Sequence, residues 1–502
     1  MKQLTMTFPD HLLQDHHTID WYRSVLAERE RSLGKEHPST LATLSDLAGV
    51  YHSQGKYSQA LGWYKQVLAG RDKIFGKNHP LTLTTLHQMA KSFHQNSEYN
   101  QALEFYHRAL LGRTEALGEK HPSVFSTLHD MAELYSDQEE YGEAASIYQR
   151  ALAGREETLG LKHPSTLSTM HGIANCYMEQ KKHTKALEAF QQLFTIRTTV
   201  LGYSHPATVS TMYEIVCVCC ELAEYDKAIE IGLQALRRIK ENPDREYGSS
   251  FSLSLKVGEA HLKKNQYAAA LEHYECGLNL MKKCLNKTDP SVLNTMANVA
   301  MLYEKLERSE EALELYLTVL AGREKELSAS HPAAIRTLET VARLYAKLGK
   351  FDAAVEYYQK VLNAKNNLAD SDDSRLSTLY DLGDVCQKSG MYDQALEWYK
   401  KLLDPKGHCD GELRLLALKN MIDILTLQGK HDEALESSEQ ALSLSKTIFG
   451  ADHKVTSNIK IMIANIYTGK HEHDKTLEWY RDALEWVNGE LGHNDPSALV
   501  LL

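Results

Sequence analysis

The 502-residue sequence has few cysteines, no long hydrophobic run and no readable export signal. The longest conspicuous apolar run, Ile215 to Cys220, is far shorter than the roughly 18 residues of a membrane helix. Residues 1–17 lack a basic region followed by an apolar core, and eight cysteines without a paired framework suit a reducing compartment. We therefore predict a cytoplasmic protein without a membrane span.

The sequence has fewer positively charged than negatively charged residues. The chain carries 56 Lys and Arg against 67 Asp and Glu, a net charge of −11, so attraction of the whole molecule to nucleic acid is not expected. With 43% hydrophobic and 25% charged residues, the composition is that of a folded protein rather than a disordered one.

Catalytic motifs are missing as well. The sequence contains no GxxxxGK[ST], GxGxxG, GxSxG or HExxH, which would hold a phosphate, a dinucleotide, an acyl nucleophile or a catalytic zinc. Cys217, Cys219 and Cys220 include a CxxC spacing but have no second ligand pair nearby, so we interpret them as buried thiols, with Cys219 in the core. No catalytic residue, cofactor or metal is predicted.

A 42-residue period dominates what the sequence does contain. His-Pro occurs at Pro38, Pro80, Pro122, Pro164 and Pro206, and the phase continues at Asp289-Pro290, His331-Pro332 and, after small slips, Asp495-Pro496. Proline suits the first position of a helix, and glycines of the same period, such as Gly34, suit the residue that closes the preceding helix. The His or Asp before each proline is predicted to cap the helix, rather than to ligate metal.

Small and aromatic residues share the period and mark packing positions. Alanines recur at Ala48, Ala90, Ala132, Ala174, Ala300, Ala342 and Ala464, with aromatics three residues later and again nine residues later, the latter beginning at Tyr57. Because they recur at helical spacing, they are predicted to lie on one face, where two helices cross closely.

Each period is thus a helix, a turn and a second helix. First helices are predicted to start near residues 38, 80, 122, 164, 206, 248, 290, 332, 373, 412 and 454, which makes about eleven pairs, after a lone second helix from Thr18 to Leu33. Repeats near 248–287 and 373–411 are degenerate. The end at 496–502 would dock back, meet another chain or belong to a longer protein.

The pattern resembles the tetratricopeptide repeat. Segments such as Ala151 to Pro164 (ALAGREETLGLKHP) are most similar to the 42-residue repeats of kinesin light chain. The resemblance implies an all-α, right-handed superhelical solenoid over residues 18–502, after an N-terminal extension at 1–17. It also implies that extended peptides bind in a concave groove formed by the first helices.

Two sets of groove residues are candidates for partner binding. His87, His129 and His171 form a row in successive repeats that would hydrogen-bond a peptide backbone; the alternative is solvated side chains left by repeat duplication. The second set is a basic stretch with asparagines: Asn294, Asn298, Lys305, Arg336, Arg343, Lys347 and Lys388. In kinesin light chain such residues engage acidic cargo segments; here a simple solvated face is the alternative.

These features favour a non-catalytic scaffold or adaptor that binds protein or peptide partners, including acidic segments. A kinesin-light-chain-like cargo adaptor is a narrower version, although residues 1–17 are too short for the heptad segment that joins that family to its motor. A regulatory or sensor array of a larger assembly is the second alternative. An enzyme, supported only by the histidine row and the CxxC spacing, is the third.

Overall fold

The computed structural model describes residues 16–241, 250–328, 330–366, 372–404, 411–451 and 453–490. These residues form 23 α-helices and contain no strand. The predicted all-α class is therefore confirmed. Several sequence features lie outside the described residues: most of the N-terminal extension, Tyr247 and Gly248, and the end at 496–502.

The chain divides into two compact units, residues 1–265 and 266–502. The N-terminal unit holds α1 (His16–Leu33), α2 (Pro38–Ser53), α3 (Tyr57–Phe75), α4 (Pro80–Gln95), α5 (Tyr99–Leu117), α6 (Pro122–Asp137), α7 (Tyr141–Leu159), α8 (Pro164–Glu179), α9 (His183–Leu201), α10 (Pro206–Glu221), α11 (Tyr225–Glu241) and α12 (Ser250–Lys263).

The C-terminal unit holds α13 (Tyr267–Cys284), α14 (Pro290–Lys305), α15 (Ser309–Glu326), α16 (Pro332–Lys347), α17 (Phe351–Asn366), α18 (Asp372–Lys388), α19 (Tyr392–Leu402), α20 (Gly411–Leu427), α21 (His431–Ile448), α22 (Lys454–Gly469) and α23 (His473–Glu490). In the described residues, α1 is thus the predicted lone helix, and α2 to α23 make the eleven predicted pairs of first and second helices.

The helix starts are capped as predicted. The Nδ1 atom of His37 accepts a hydrogen bond from the backbone N–H of Ser39 at 3.2 Å, and Asp289 does the same for Ser291 at 2.8 Å. His453 caps α22 although no proline follows it. Gly34, at φ +88°, takes the left-handed conformation predicted for the residue that follows a helix. The imidazoles at these positions therefore satisfy first-turn N–H groups.

The small residues sit where helices cross, as expected. Ala132 has no exposed surface and packs with Ala144, Tyr148 and Ile173. The most deeply buried aromatic row is one that the sequence interpretation did not single out. It lies on the second helices, at Tyr64, Tyr106, Tyr148, Phe190, Tyr274, Tyr316, Tyr358 and Tyr399, whereas Tyr57 and Tyr99 are only half-buried.

A second row that was not anticipated links a second helix to the next first helix at seven places in the described residues. A cation near the end of the second helix donates hydrogen bonds to a backbone carbonyl and to a threonine hydroxyl of the following first helix. Arg155 Nη1, for example, is 2.7 Å from Ser165 O and 2.6 Å from Thr169 Oγ1. We call these residues the clamp cations: Arg29, Arg71, Arg113, Arg155 and Arg197 in the N-terminal unit, and Arg323 and Lys365 in the C-terminal unit.

The residue before several clamp cations is a glycine in close contact with the first helix of its own pair. A Cβ added at Gly154 would lie 1.9 Å from the Phe125 ring, and one at Gly112 would lie 2.3 Å from Leu83. Any side chain here would push the two helices apart. The Gly-Arg dipeptide therefore combines a close helix crossing with a bond to the next repeat.

Replacing Ala132 with Leu is expected to destabilise the N-terminal unit by about 1 to 3 kcal/mol, because a closed helix crossing has no room for the larger side chain. His121→Ala, which removes only the cap of α6, is expected to cost no more than about 1 kcal/mol. Thermal unfolding followed by circular dichroism compares the two. If both variants unfold at the same temperature as the parent, the packing role assigned to Ala132 is wrong.

Candidate partner-binding face

First helices of successive pairs contact one another at several places within each unit. In the N-terminal unit α4 contacts α6, α6 contacts α8, and α10 contacts α12; in the C-terminal unit α18 contacts α20 and α20 contacts α22. We call the surface of the first helices in each unit the first-helix face of that unit. All ten candidate residues lie on first helices, the three histidines in the N-terminal unit and the other seven in the C-terminal unit.

The histidine row is only partly accessible. His87 and His129 are buried, with 7% and 9% of their surface exposed, while His171 is half-buried. Each imidazole packs edge-on against an aromatic ring of its own pair, at Tyr106, Tyr148 and Phe190 respectively. The solvated alternative therefore does not describe His87 and His129.

Polar contacts occupy the first two histidines. His87 Nε2 lies 3.1 Å from Asp130 Oδ2 on the next first helix, and His129 Nδ1 lies 3.4 Å from Thr169 Oγ1. Burial lowers the pKa of His87 despite its bond to Asp130. Burial and the nearby charge of Arg197 lower the pKa of His171 to about 4, so this imidazole is neutral at pH 7.

A group of potential metal ligands lies on α6. The ligand atoms of His129, Asp130 and Glu133 are all within 4.8 Å of one another. Asp130 already accepts from His87, and the Lys91 ammonium lies 3.5 Å from the same carboxylate oxygen. A cation so close disfavours a second one. That the chain binds no metal here stays a prediction.

Carboxylates of the protein engage part of the basic set. Arg343 donates two hydrogen bonds to Glu304, at 2.6 and 3.0 Å, and Lys388 lies 2.6 Å from Asp384. The Asn294 side-chain oxygen accepts from Arg323 Nη2 at 2.7 Å. The Arg343 bond lowers the pKa of Glu304, and the charges of Lys347 and Lys305 act in the same direction.

The rest of the basic set is available. Lys305, Arg336, Lys347 and Asn298 are exposed, and their side chains have no hydrogen-bond or ion-pair partner among the residues that the structure describes. Their cationic groups are not neutralised pairwise within the described part of the face. Three uncompensated cations on α14 and α16 can therefore attract a carboxylate from another molecule.

The same face contains carboxylates beside the basic set. Burial, together with the negative charges of Asp384 and Glu339, raises the pKa of Asp381 to about 6. Glu339 is itself bound by Lys365, with Oε1 2.6 Å from Nζ. The charge of this region therefore changes between about pH 5 and 7.

The cysteine cluster has the character expected of structural thiols. Cys219 is fully buried, as predicted, while Cys217 and Cys220 are half-buried. Burial raises the pKa of Cys217 to about 12 and that of Cys220 to about 11. Thiols of such high pKa are poor nucleophiles and poor metal ligands at neutral pH.

The family follows from the repeat itself. The tetratricopeptide repeat model matches residues 17–73, 81–157, 159–241, 249–325, 291–367, 334–404 and 413–486. The chain belongs to the tetratricopeptide repeat family. Among curated proteins, none matches it by sequence. Within the described residues, no helix is both long enough and apolar enough to cross a membrane.

Solved tetratricopeptide structures are similar to parts of the chain. The nearly identical TPR-like repeats of a putative kinesin light chain from Podosopora anserina are 26% identical over 42% of this chain and 99% of theirs, with a TM-score of 0.38. BtubC (BKLC) from P. vanneervenii is 18% identical over 46% of this chain and 92% of its own, with a TM-score of 0.42. At such TM-scores, neither likeness supports an argument about function.

The clamp cations are the functional candidates that sequence reasoning missed. Their signal is visible in the printed sequence, because Gly-Arg recurs at Arg71, Arg113, Arg155 and Arg323, each followed 14 residues later by threonine. The Gly-Arg pattern does not show which way each arginine side chain points. Only the structure shows that Arg113 and Arg197 lie near His87 and His171 respectively.

Asp381→Asn is expected to stabilise the C-terminal unit at about pH 7.5 and to have little effect near pH 4. The unfolded carboxyl ionises near its ordinary value of 3.8, whereas the folded one holds its proton up to about pH 6. The free energy of unfolding therefore falls as the pH rises from about 4 to about 6, and the loss is complete above about pH 6. Thermal unfolding at both pH values measures this. An equal gain at both would contradict an ionisation effect.

Proposed function

We propose that the chain is a non-catalytic, cytoplasmic scaffold that binds peptide segments of partner proteins on its first-helix faces, and that the C-terminal unit prefers acidic segments. Tetratricopeptide arrays are protein-interaction scaffolds, and membership of this family supports the general role. The preference for acidic segments is the finer part of the proposal, and neither a nucleic acid nor a cofactor belongs to it.

The observation that carries the acidic preference is the uncompensated charge of Lys305, Arg336 and Lys347. The charges of Lys305 and Lys347 lower the pKa of Glu304, but Arg343 already binds this carboxylate through two hydrogen bonds. An incoming carboxylate would make charge-assisted hydrogen bonds that no described residue supplies. Because the cations are exposed, each contact is expected to contribute modestly and to weaken with salt.

A cargo adaptor of the kinesin-light-chain kind remains an alternative, and a regulatory or sensor array of a larger assembly is another. Both would use the same faces and differ in what the captured partner does.

The test reverses two of the available cations, Arg336→Glu with Lys347→Glu. Arg343 is left intact, because replacing it would also leave Glu304 without its ion-pair partner and so add an unpaired negative charge to the same face. Binding of a labelled peptide rich in Glu and Asp, measured by fluorescence anisotropy, is expected to weaken about tenfold in the double variant. Raising the salt concentration should weaken binding to the parent more than to the variant.

A matched control reverses two exposed lysines of second helices, Lys283→Glu with Lys325→Glu, which changes the net charge equally within the same unit. This variant is expected to bind the peptide nearly as well as the parent. If both double variants lose the same affinity, only net charge matters. If neither loses affinity, the acidic preference of this face is wrong.

A further inference from the structure

The clamp cations use only part of their hydrogen-bonding capacity in making the link between repeats. In the N-terminal unit, Nη1 alone makes both bonds, as at Arg197, where it lies 2.9 Å from Ala207 O and 2.7 Å from Thr211 Oγ1. A guanidinium has five N–H donors. Its Nε and Nη2 groups therefore remain for a further acceptor.

The C-terminal unit shows what that further acceptor is. Lys365 Nζ makes the two clamp bonds and also lies 2.6 Å from the carboxylate of Glu339, on the first helix of its own pair. Arg323 uses Nη2 to donate to Asn294, at 2.7 Å. The third partner of a clamp cation is thus an oxygen acceptor on the first-helix face.

In the N-terminal unit this third acceptor is missing from the described residues. Arg113, Arg155 and Arg197 have no hydrogen bond from Nε or Nη2 and no carboxylate within 4.0 Å in that part of the chain. The residue 26 positions before each of these three arginines is a member of the histidine row, and 26 positions is also the offset of Glu339 from Lys365. His87, His129 and His171 occupy these positions.

Neighbouring charges distinguish the three guanidinium groups. Burial lowers the pKa of Arg113 and Arg155, while the negative charge of Asp130 acts in the opposite direction on both. For Arg197, burial lowers the pKa, and no carboxylate of the described residues acts in the opposite direction. Arg113 and Arg155 are each 5% exposed, whereas Arg197 is half-buried and more accessible.

The surroundings of Arg197 suit an anionic oxygen ligand. His171 of α8 lies near enough to Arg197 for the guanidinium charge to lower its pKa. Asn175, one turn further along α8, has its Nδ2 atom 3.4 Å from His171 Nδ1. Both side chains are half-buried and can donate hydrogen bonds. Glu214 of the neighbouring α10 is half-buried, and among the described residues it forms no ion pair with Arg197. A partly buried cation without a counter-charge is unfavourable unless an anion joins it.

We propose that Arg197, with His171 and Asn175, binds a carboxylate side chain of an extended partner peptide on the first-helix face of the N-terminal unit. The peptide carboxylate takes the place that Glu339 occupies beside Lys365. This inference rests on the proposed function in assuming a protein partner. It concerns a different unit and different residues from the basic set of the C-terminal unit.

The decisive variant builds the missing carboxylate into the chain. His171→Glu reproduces the 26-residue offset of Glu339 and Lys365, so its carboxylate should occupy Arg197. The probe is a fluorescein-labelled peptide of about ten residues, with glutamate at every third position among Ser and Gly. Measured in the Arg336→Glu, Lys347→Glu background, which lacks the acidic-peptide site proposed for the C-terminal unit, binding is expected to fall at least tenfold, while the midpoint of thermal unfolding rises by a few °C.

Two further variants separate binding from folding and from net charge. Gln192→Glu, at an exposed site on α9, adds the same charge away from the face and should change neither quantity appreciably. Met281 of α13 occupies the position of a clamp cation, and its sulfur lies 3.4 Å from the Oγ1 atom of Thr295, 14 residues later. Arg197→Met places the same residue type at the equivalent position of α9. It should weaken peptide binding about tenfold and retain the parent's helical signal.

Four outcomes would contradict the proposed carboxylate site at Arg197. Unchanged peptide binding in both His171→Glu and Arg197→Met overturns the proposal, as does a thermal midpoint that does not rise in His171→Glu. If a glutamine-for-glutamate peptide binds equally well, the ligand is not a carboxylate. If inorganic phosphate or an RNA oligomer binds at Arg197 and the peptide does not, the assigned occupant is wrong. The Arg336→Glu, Lys347→Glu variant should keep this site, so its result tests the proposed function separately.

Discussion

The contact on which much of the array depends is the bridge that a clamp cation makes from a second helix to the next first helix. Repeats of this kind bury their apolar faces only against their neighbours, so stability resides in the joints between pairs. Alanines such as Ala132 allow helices to cross closely, and the clamp cations attach the end of one pair to the start of the next. The bridge also fixes the rotation of each helix, because its arginine must meet a carbonyl and a hydroxyl together.

This bridge places charge where a purely apolar joint would have none. In the N-terminal unit Arg197 lies near the imidazole of His171, and burial and the charge of Arg197 lower the pKa of that imidazole. In the C-terminal unit, oxygen acceptors of the protein complete the arrangement, through Glu339 at Lys365 and Asn294 at Arg323. The N-terminal unit has histidines instead. The two units thus share one framework and differ in how its charge is balanced.

The local features of the fold could be predicted from sequence because they depend on one residue and its immediate neighbours. A histidine before proline caps its own helix, and Gly34 closes the preceding one, wherever the rest of the chain lies. Contacts across repeats were not predictable in the same way. The Arg343 and Glu304 pair joins residues 39 positions apart on different helices, and His87 reaches Asp130 over 43 positions. Periodicity places such residues at equivalent positions but does not determine which side chains meet. For this reason the sequence could not show that Arg343 and Lys388 of the basic set already bind carboxylates of the protein.

The close approach of Gly154 to Phe125 bears on how such an array evolves. The ring occupies the space of a missing Cβ 29 residues away, and Gly112 and Leu83 repeat this relation at the same interval. A duplication or recombination event that separates the two members would bring a glycine opposite a small side chain, or a larger residue opposite a ring. Exchange of genetic segments therefore succeeds most readily when the breakpoint lies between helix pairs. Such selection on breakpoints would help to keep a 42-residue period even while the residues of the exposed face diverge.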